Sequence, residues 1–387
     1  MCLLLAASAA AQPSPVKQRL AAIATRMQAM VEDHTIPGCV YLVSQRGETL
    51  VHNAVGLQDL ETRRPMRTDS IFQIMSMTKP MTAVALMMLV EEGKVVLSDP
   101  VERYLPEFAT QPGPAGAPHR AITLYQILTH TSGMEGDPPA LRRPEIQYEM
   151  TLPLEDAVKF FATVPLRSQP GTQWNYSNMG IATIGRVVEA VSGMPYEKFM
   201  EQRLFTPLGM NDTFFFPDAA RTPRIAMLYR REAGKLILPG PNMLGGDPTL
   251  YRKGAKYTAP EFALYSTAAD VAAFYQMMLD GGAYKGKRVL SRASVDVMTA
   301  LHTGTLTTFN LGNGNGLAFT VPRDGDANYD LQSSDSFGHG GAFGTWSFAD
   351  KGKQLVGIFM VQISGPETTR PFHVFNAMVE SAIDRAK

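Results

Sequence analysis

The chain has 387 residues, room for two or three folding units at about 100 to 200 residues per domain, and is far too long to depend on a disulfide scaffold. Lys plus Arg and Asp plus Glu number 36 each, with no long run of one sign. This excludes the electrostatic footprint of a nucleic-acid or anionic-membrane binder and leaves a neutral or modestly charged small molecule as the natural partner. Cys2 and Cys39 make neither a disulfide framework nor a zinc-ligand spacing. The seven histidines contain no H-x-x-x-H or H-x-H cluster, so no metal and no cofactor are expected.

Residues 1–14 read as a leader segment: a short apolar stretch followed by Ala9-Ala10-Ala11, the small-residue pattern before a signal-peptidase cut. A periplasmic or secreted protein is expected on that basis, with a cytoplasmic one as the alternative because the basic n-region is missing. No other stretch approaches the roughly 20 apolar residues of a membrane span.

In chain order, apolar residues at helical spacing (Leu20, Ile23, Met27, Met30, Val31) predict a helix from Pro15 to His34, stopped before Pro37. Gly38 to Gln45 and Thr49 to Gly56 predict two strands joined at Arg46-Gly47. The middle predicts helices over 77–92, 124–129, 153–163, 178–192 and 196–204. Residues 218–265, rich in Pro, Gly, Tyr and Arg, read as a long irregular loop that shapes a substrate site. Strands follow at 316–321, 343–348 and 354–361, then a helix over 371–385. The expected fold class is α+β, an antiparallel sheet flanked by terminal helices plus an all-helical domain. The discontinuous α+β domain takes 15–75 and 260–387, and the helical one takes 76–259. A site is expected in the cleft between them.

Three short elements carry chemistry: Ser76-Met77-Thr78-Lys79, Tyr176-Ser177-Asn178 and His339-Gly340-Gly341. A serine hydroxyl is a poor nucleophile until a base takes its proton, and residues three apart share one helix face, so Lys79 can reach Ser76. To serve as a base, Lys79 must be a neutral amine or hold its charge against a phenolate; Met75, Met77, Met81 and Ala83 supply apolar surroundings. Ser76 lies at the start of the helix predicted over 77–92, where free N–H groups and the helix dipole favour developing negative charge; Pro80 is tolerable in the first turn. The N–H groups of Ser76 and Ala342 are the expected oxyanion hole. Tyr176 is a candidate base or relay and Asn178 a candidate contact to substrate and Lys79. Each also has a plain structural role open to it, a packed tyrosine beside Trp174 and a helix cap. A second S-x-x-K at Ser14 to Lys17 is set aside because it lies among prolines ahead of the first helix. His302-Thr303-Gly304 is set aside because no strand pattern follows it, whereas a strand is expected to run on from His339.

With these motifs the sequence resembles the serine β-lactamase superfamily, in the class C-like branch that includes family VIII carboxylesterases, D-aminopeptidases and related transesterases. The likeness runs from about Pro15 to the C-terminus and includes residues 93–108, 122–134, 170–193, 205–215 and 265–274. It implies that Ser76 is acylated, that Lys79 and Tyr176 activate it, that Asn178 contacts substrate, and that His339, Gly340, Gly341 and Ala342 lie along the substrate on an edge strand. His339 stands where β-lactamases and penicillin-binding proteins usually carry lysine, which removes a permanent cation for a substrate carboxylate. Pro260 to Tyr265 replaces a Gly-rich stretch.

The expected activity is hydrolysis of short- to medium-chain carboxylic esters through an acyl-enzyme, within a pocket lined by Tyr251, Tyr257, Phe262, Tyr265, Phe343 and Trp346. The alternatives are a β-lactamase, a D-aminopeptidase or D-Ala carboxypeptidase, and a non-catalytic binding or assembly module of the same fold. An α/β-hydrolase is disfavoured because the chain has no G-x-S-x-G. Whether lysine or tyrosine is the base, and the oligomeric state, are left open by the sequence.

Overall fold

The structure, a computed structural model, describes residues 15–136, 150–239, 254–308, 312–323, 331–366 and 368–383. Residues 1–14, expected from sequence to be a leader, and Tyr251 lie outside the described residues, as does part of the 218–265 stretch. The strands run β1 (Gly38–Gln45), β2 (Glu48–Asp59), β3 (Arg64–Pro65), β4 (Phe72–Gln73), β5 (Tyr229–Glu232), β6 (Lys235–Ile237), β7 (Tyr265–Ser266), β8 (Ala283–Tyr284), β9 (Lys287–Arg288), β10 (Asn313–Asn315), β11 (Thr320–Pro322), β12 (Ser336–Gly340), β13 (Trp346–Asp350), β14 (Leu355–Met360) and β15 (Ile363–Ser364). The principal helices are α1 (Pro15–Glu32), α2 (Thr78–Glu91), α3 (Leu124–Leu128), α4 (Leu154–Phe161), α5 (Asn178–Ser192), α6 (Tyr196–Met200), α7 (Ala268–Leu279), α8 (Arg292–Met298) and α9 (Arg370–Ala382).

Eight strands form one antiparallel sheet in the order β10-β11-β12-β13-β14-β1-β2-β3, so both ends of the chain meet at its centre, where β1 pairs with β14. The β1–β2 hairpin closes on Arg46 and Gly47, both at positive φ (52° and 78°), the tight-turn geometry whose twist matches the strands. One face is covered by α1 and α9: Leu20, Ile23, Met27 and Met30 pack with Tyr41, Val43, Phe359 and Phe375 in one apolar cluster. This is the 3.6-residue periodicity of α1 meeting the two-residue periodicity of β1 and β14. On the other face α7 packs against β1, β13 and β14, and the core there continues without a break into α2 and α5. Helix α2 is apolar on nearly every side and buried from Thr78 to Leu89, as expected of a helix at the centre of a large core.

The fold class is therefore α+β with the expected sheet and flanking helices, and several elements differ from their sequence expectation. The strand expected at 316–321 is β11, 320–322; Gly316 donates to the Phe319 carbonyl and Ala318 takes φ 58°, so the chain turns there instead of extending. The strand expected over 343–348 begins only at Trp346, because Gly341 to Thr345 form the turn between β12 and β13. Residues 229–237 are not irregular: β5 and β6 form a hairpin that β15 joins in parallel.

Candidate active site

Ser76 lies in a single 3₁₀ turn, Met75–Met77, that feeds directly into α2. Met75 is held at φ 50°, a left-handed conformation costing a non-glycine residue about 1 to 3 kcal/mol; such strain gathers at sites the surroundings over-determine. The fully buried Lys79, three residues on, points Nζ back to Ser76 Oγ at 2.9 Å. Its Nζ also donates to the Glu261 carbonyl at 2.8 Å. Thr78 accepts from the Leu264 N–H at 3.3 Å and Thr82 donates to the Pro260 carbonyl, so three polar side chains of α2 grip the 260–264 segment. On its other side Pro260 packs on Gly185 of α5, where a Cβ would fall 2.1 Å from the proline ring. The segment that departs from the family pattern thus bears on the lysine through its backbone.

Tyr176 stands just ahead of α5, and its ring centroid is 4.8 Å from Lys79 Nζ. The residues on either side of it are anchored to the stretch after α3. Asn175 donates from its backbone N–H to the His130 carbonyl at 2.8 Å and from its side chain to the Met134 carbonyl at 2.6 Å. Ser177 donates from its N–H to His130 Nδ1 at 3.2 Å and from its hydroxyl to the Glu135 carbonyl at 2.6 Å. Ser177 also caps α5, accepting from the Gly180 N–H at 3.0 Å. The cap is therefore Ser177, and Asn178 is the first residue of the helix, half-buried and two positions from Tyr176.

The third element lies on β12. His339 and Gly340 belong to that strand, and the strand precedes the motif instead of running on from it. Nor is β12 the edge of the sheet: β11 pairs with it at Thr320 opposite Gly338, and among the described residues that is the whole of the pairing, so its last residues face the Ser76 turn. Gly341 is needed because a Cβ there would lie 2.4 Å from the Ile74 carbonyl and 2.1 Å from Thr345 Oγ1. The close approach that the glycine permits is between β12 and the Ser76 turn, not only between strand and substrate. Its N–H donates to the Thr345 carbonyl at 2.8 Å. His339 is buried and pushed down to about 3 by that burial and by the positive charge of Lys79. Its Nδ1 lies 2.7 Å from the Gly340 carbonyl, so Nδ1 carries the hydrogen and Nε2 is an acceptor. A neutral imidazole in this state offers no cation to a carboxylate.

A cavity of about 260 Å³ collects Ser76, Tyr176, His339, Gly340 and Ala342, with Lys79 in contact with Ser76 and Gly341 packed against Ile74 and Thr345. Its other walls are Trp174, Thr308, Asn313, Gly314, Asn315, Thr320 and Trp346. Among the described residues, none that lines it is charged when His339 is neutral. Of the aromatic lining expected from sequence, Trp346 is there. Tyr257 and Tyr265 are buried in the core, Tyr265 stacked on Phe214, and Phe343 packs with Met75, Leu228 and Phe262. His302 lies elsewhere, with Nε2 against the Val297 carbonyl.

A family model described as Beta-lactamase matches residues 23–377. The chain belongs to the beta-lactamase family. Members of that family similar to it include esterase EstB of Burkholderia gladioli, 31% identical over 288 residues, 68% of this chain and 72% of that protein. Penicillin-binding protein 4 of Amycolatopsis lactamdurans is 32% identical over 330 residues, 82% of this chain and 78% of the relative. Among solved structures, EstCE1, described as a hydrolase with promiscuous acyltransferase activity, superposes with a TM-score of 0.80 at 22% identity. That match covers 95% of this chain and 98% of the other, and shows the shared fold. Family and fold together make this a serine β-lactamase-fold hydrolase.

Proposed function

We propose that the chain is a serine carboxylesterase that acts through an acyl-enzyme on Ser76, with Lys79 and Tyr176 handling the proton. The observation that carries the reading is the 2.9 Å contact between Lys79 Nζ and Ser76 Oγ, with Ser76 opening into a cavity whose described lining residues are uncharged. In the acylation step Ser76 Oγ attacks the ester carbonyl while its proton passes to the Lys79–Tyr176 pair. The alkoxide that forms is held by the N–H groups of Ser76 and Ala342. Gly341 supports the choice of Ala342, since its own N–H is committed to Thr345. The proton then goes to the leaving alcohol, and water repeats the sequence to release the acid. Asn178, at the head of α5, is assigned to the substrate.

Ester selectivity is supported by His339. Penicillins and D-Ala-terminated peptides carry a carboxylate, and a neutral imidazole presenting an acceptor nitrogen does not stabilise one. Relatives named as penicillin-binding proteins favour a second reading, a β-lactam or peptide hydrolase of the same site. A panel of p-nitrophenyl acetate and butyrate, a chromogenic cephalosporin and a D-alanyl-D-alanine peptide separates the two. Higher kcat/KM for the esters supports the esterase, and comparable or better turnover of the cephalosporin overturns it. A binding module turns over none of them.

A further inference from the structure

We propose that His130 is a positioning residue for Tyr176: a buried, neutral imidazole of fixed tautomer that sets the ring of the candidate base by bracketing its backbone. This rests on the reading of Ser76, Lys79 and Tyr176 as the reacting groups and names a residue that their motifs do not contain.

Three contacts converge on this histidine from one short segment. Its carbonyl accepts from the Asn175 N–H at 2.8 Å, its Nδ1 accepts from the Ser177 N–H at 3.2 Å, and its ring lies against the Tyr176 ring at 4.6 Å between centroids. The tyrosine is thus pinned by the N–H group before it, the N–H group after it and the face of its own ring, all by one residue 46 positions earlier. His130 takes φ 58°, a left-handed conformation outside a helix, and is wholly buried. Strain of that kind persists only where the surroundings fix it.

Because a backbone N–H can only donate, Nδ1 must present a lone pair, and the ring hydrogen is on Nε2. Protonation would put a donor against a donor and release Ser177. Burial opposes a positive charge on this imidazole, and so do Lys79 and His339, the titratable groups that face it. The ring of Tyr176 also lies 6.3 Å from that of His339, so two neutral imidazoles adjoin the phenol. A base and its partner lysine can share one proton only if the neighbouring imidazoles do not take it, and positional errors of about 1 Å can cost about 100-fold in rate.

The test is the rate at which a p-nitrophenyl alkylphosphonate labels Ser76, measured in wild type, His130→Phe, Tyr176→Phe and the double variant. A role through Tyr176 predicts labelling at least about 30-fold slower in His130→Phe with Ser76 still the labelled residue. In the Tyr176→Phe background the same change should cost less than about threefold. Equal costs in both backgrounds, or a His130→Phe rate within threefold of wild type, overturn the proposal while leaving the nucleophile intact. No labelling of Ser76 in wild type overturns the reading beneath it. His130→Gln, which keeps an acceptor for the Ser177 N–H, should recover part of the rate. Wild-type protein with ¹⁵N-labelled histidine gives a check that needs no variant. His130 should remain neutral with its hydrogen on Nε2 from about pH 7.5 to about pH 5.5, and titration in that interval overturns the assignment.

Discussion

Lys79 Nζ lies 2.9 Å from Ser76 Oγ and 2.8 Å from the Glu261 carbonyl, so one buried amine joins the start of α2 to the segment ahead of β7. On the proposed reading the two contacts divide the labour: the serine is the group to be deprotonated, and the carbonyl fixes the nitrogen in place.

The first prediction concerns the proton-handling pair. Lys79→Ala and Tyr176→Phe should each lower kcat/KM for p-nitrophenyl butyrate by at least about 100-fold, the usual scale for a proton-transfer partner. Steady-state kinetics on folded variants measure this. A loss under tenfold for either removes that residue from the base.

His339 is predicted to set the charge preference of the cavity. His339→Lys returns a cation to β12 and should shift the ratio of cephalosporin to ester kcat/KM towards the cephalosporin by about tenfold, which corresponds to about 1.4 kcal/mol. An unchanged ratio would detach ester preference from this position.

Gly185 tests the back of the site. With a Cβ placed 2.1 Å from Pro260, Gly185→Ala should cost about 1 to 3 kcal/mol by overpacking, although alanine is the better helix former. It should lower kcat as well, by displacing the carbonyl that holds Lys79. Urea denaturation and kinetics on the same sample test both effects; a more stable, fully active variant contradicts the packing argument.

Stability should fall on mild acidification. Burial holds His130 and His339 neutral when folded, whereas the unfolded chain takes up their protons near pH 6.5. Between that pH and the lowered folded values the unfolded state binds more protons, so stability declines as pH falls, by about 1.4 kcal/mol per group from about pH 7.5 to about pH 5.5. His52, also lowered by burial, adds in the same direction. Asp270, raised to about 6 by burial, and Glu189, raised for the same reason, act the opposite way and offset part of the loss. The urea midpoint should be lower at about pH 5.5 than at about pH 7.5; an equal or higher midpoint refutes the assignment of neutral histidines.

The sequence made legible what local periodicity and spacing determine. Asn178–Ser192 is the helix its pattern indicates, and Ser76 and Lys79 share a face because they are three residues apart at a helix start. What stayed hidden depends on contacts between distant segments. His130 meets Tyr176 only because the turn after α3 folds beside the approach to α5, and nothing in the pattern of 122–134 distinguishes its histidine from a packed core residue. Tyr257 and Tyr265 carried the composition of a pocket lining but are in the core, since an aromatic ring fills either place equally well. Thr308, Asn313 and Asn315 reach the cavity from short, weakly patterned segments with no apolar period to read.

The most direct test of the account is intact-mass spectrometry of the protein quenched in acid during turnover of p-nitrophenyl butyrate, followed by peptide mapping. The account predicts one added butyryl group, carried on Ser76 and absent from Ser76→Ala. An adduct on another residue, or undiminished turnover by Ser76→Ala, would contradict it.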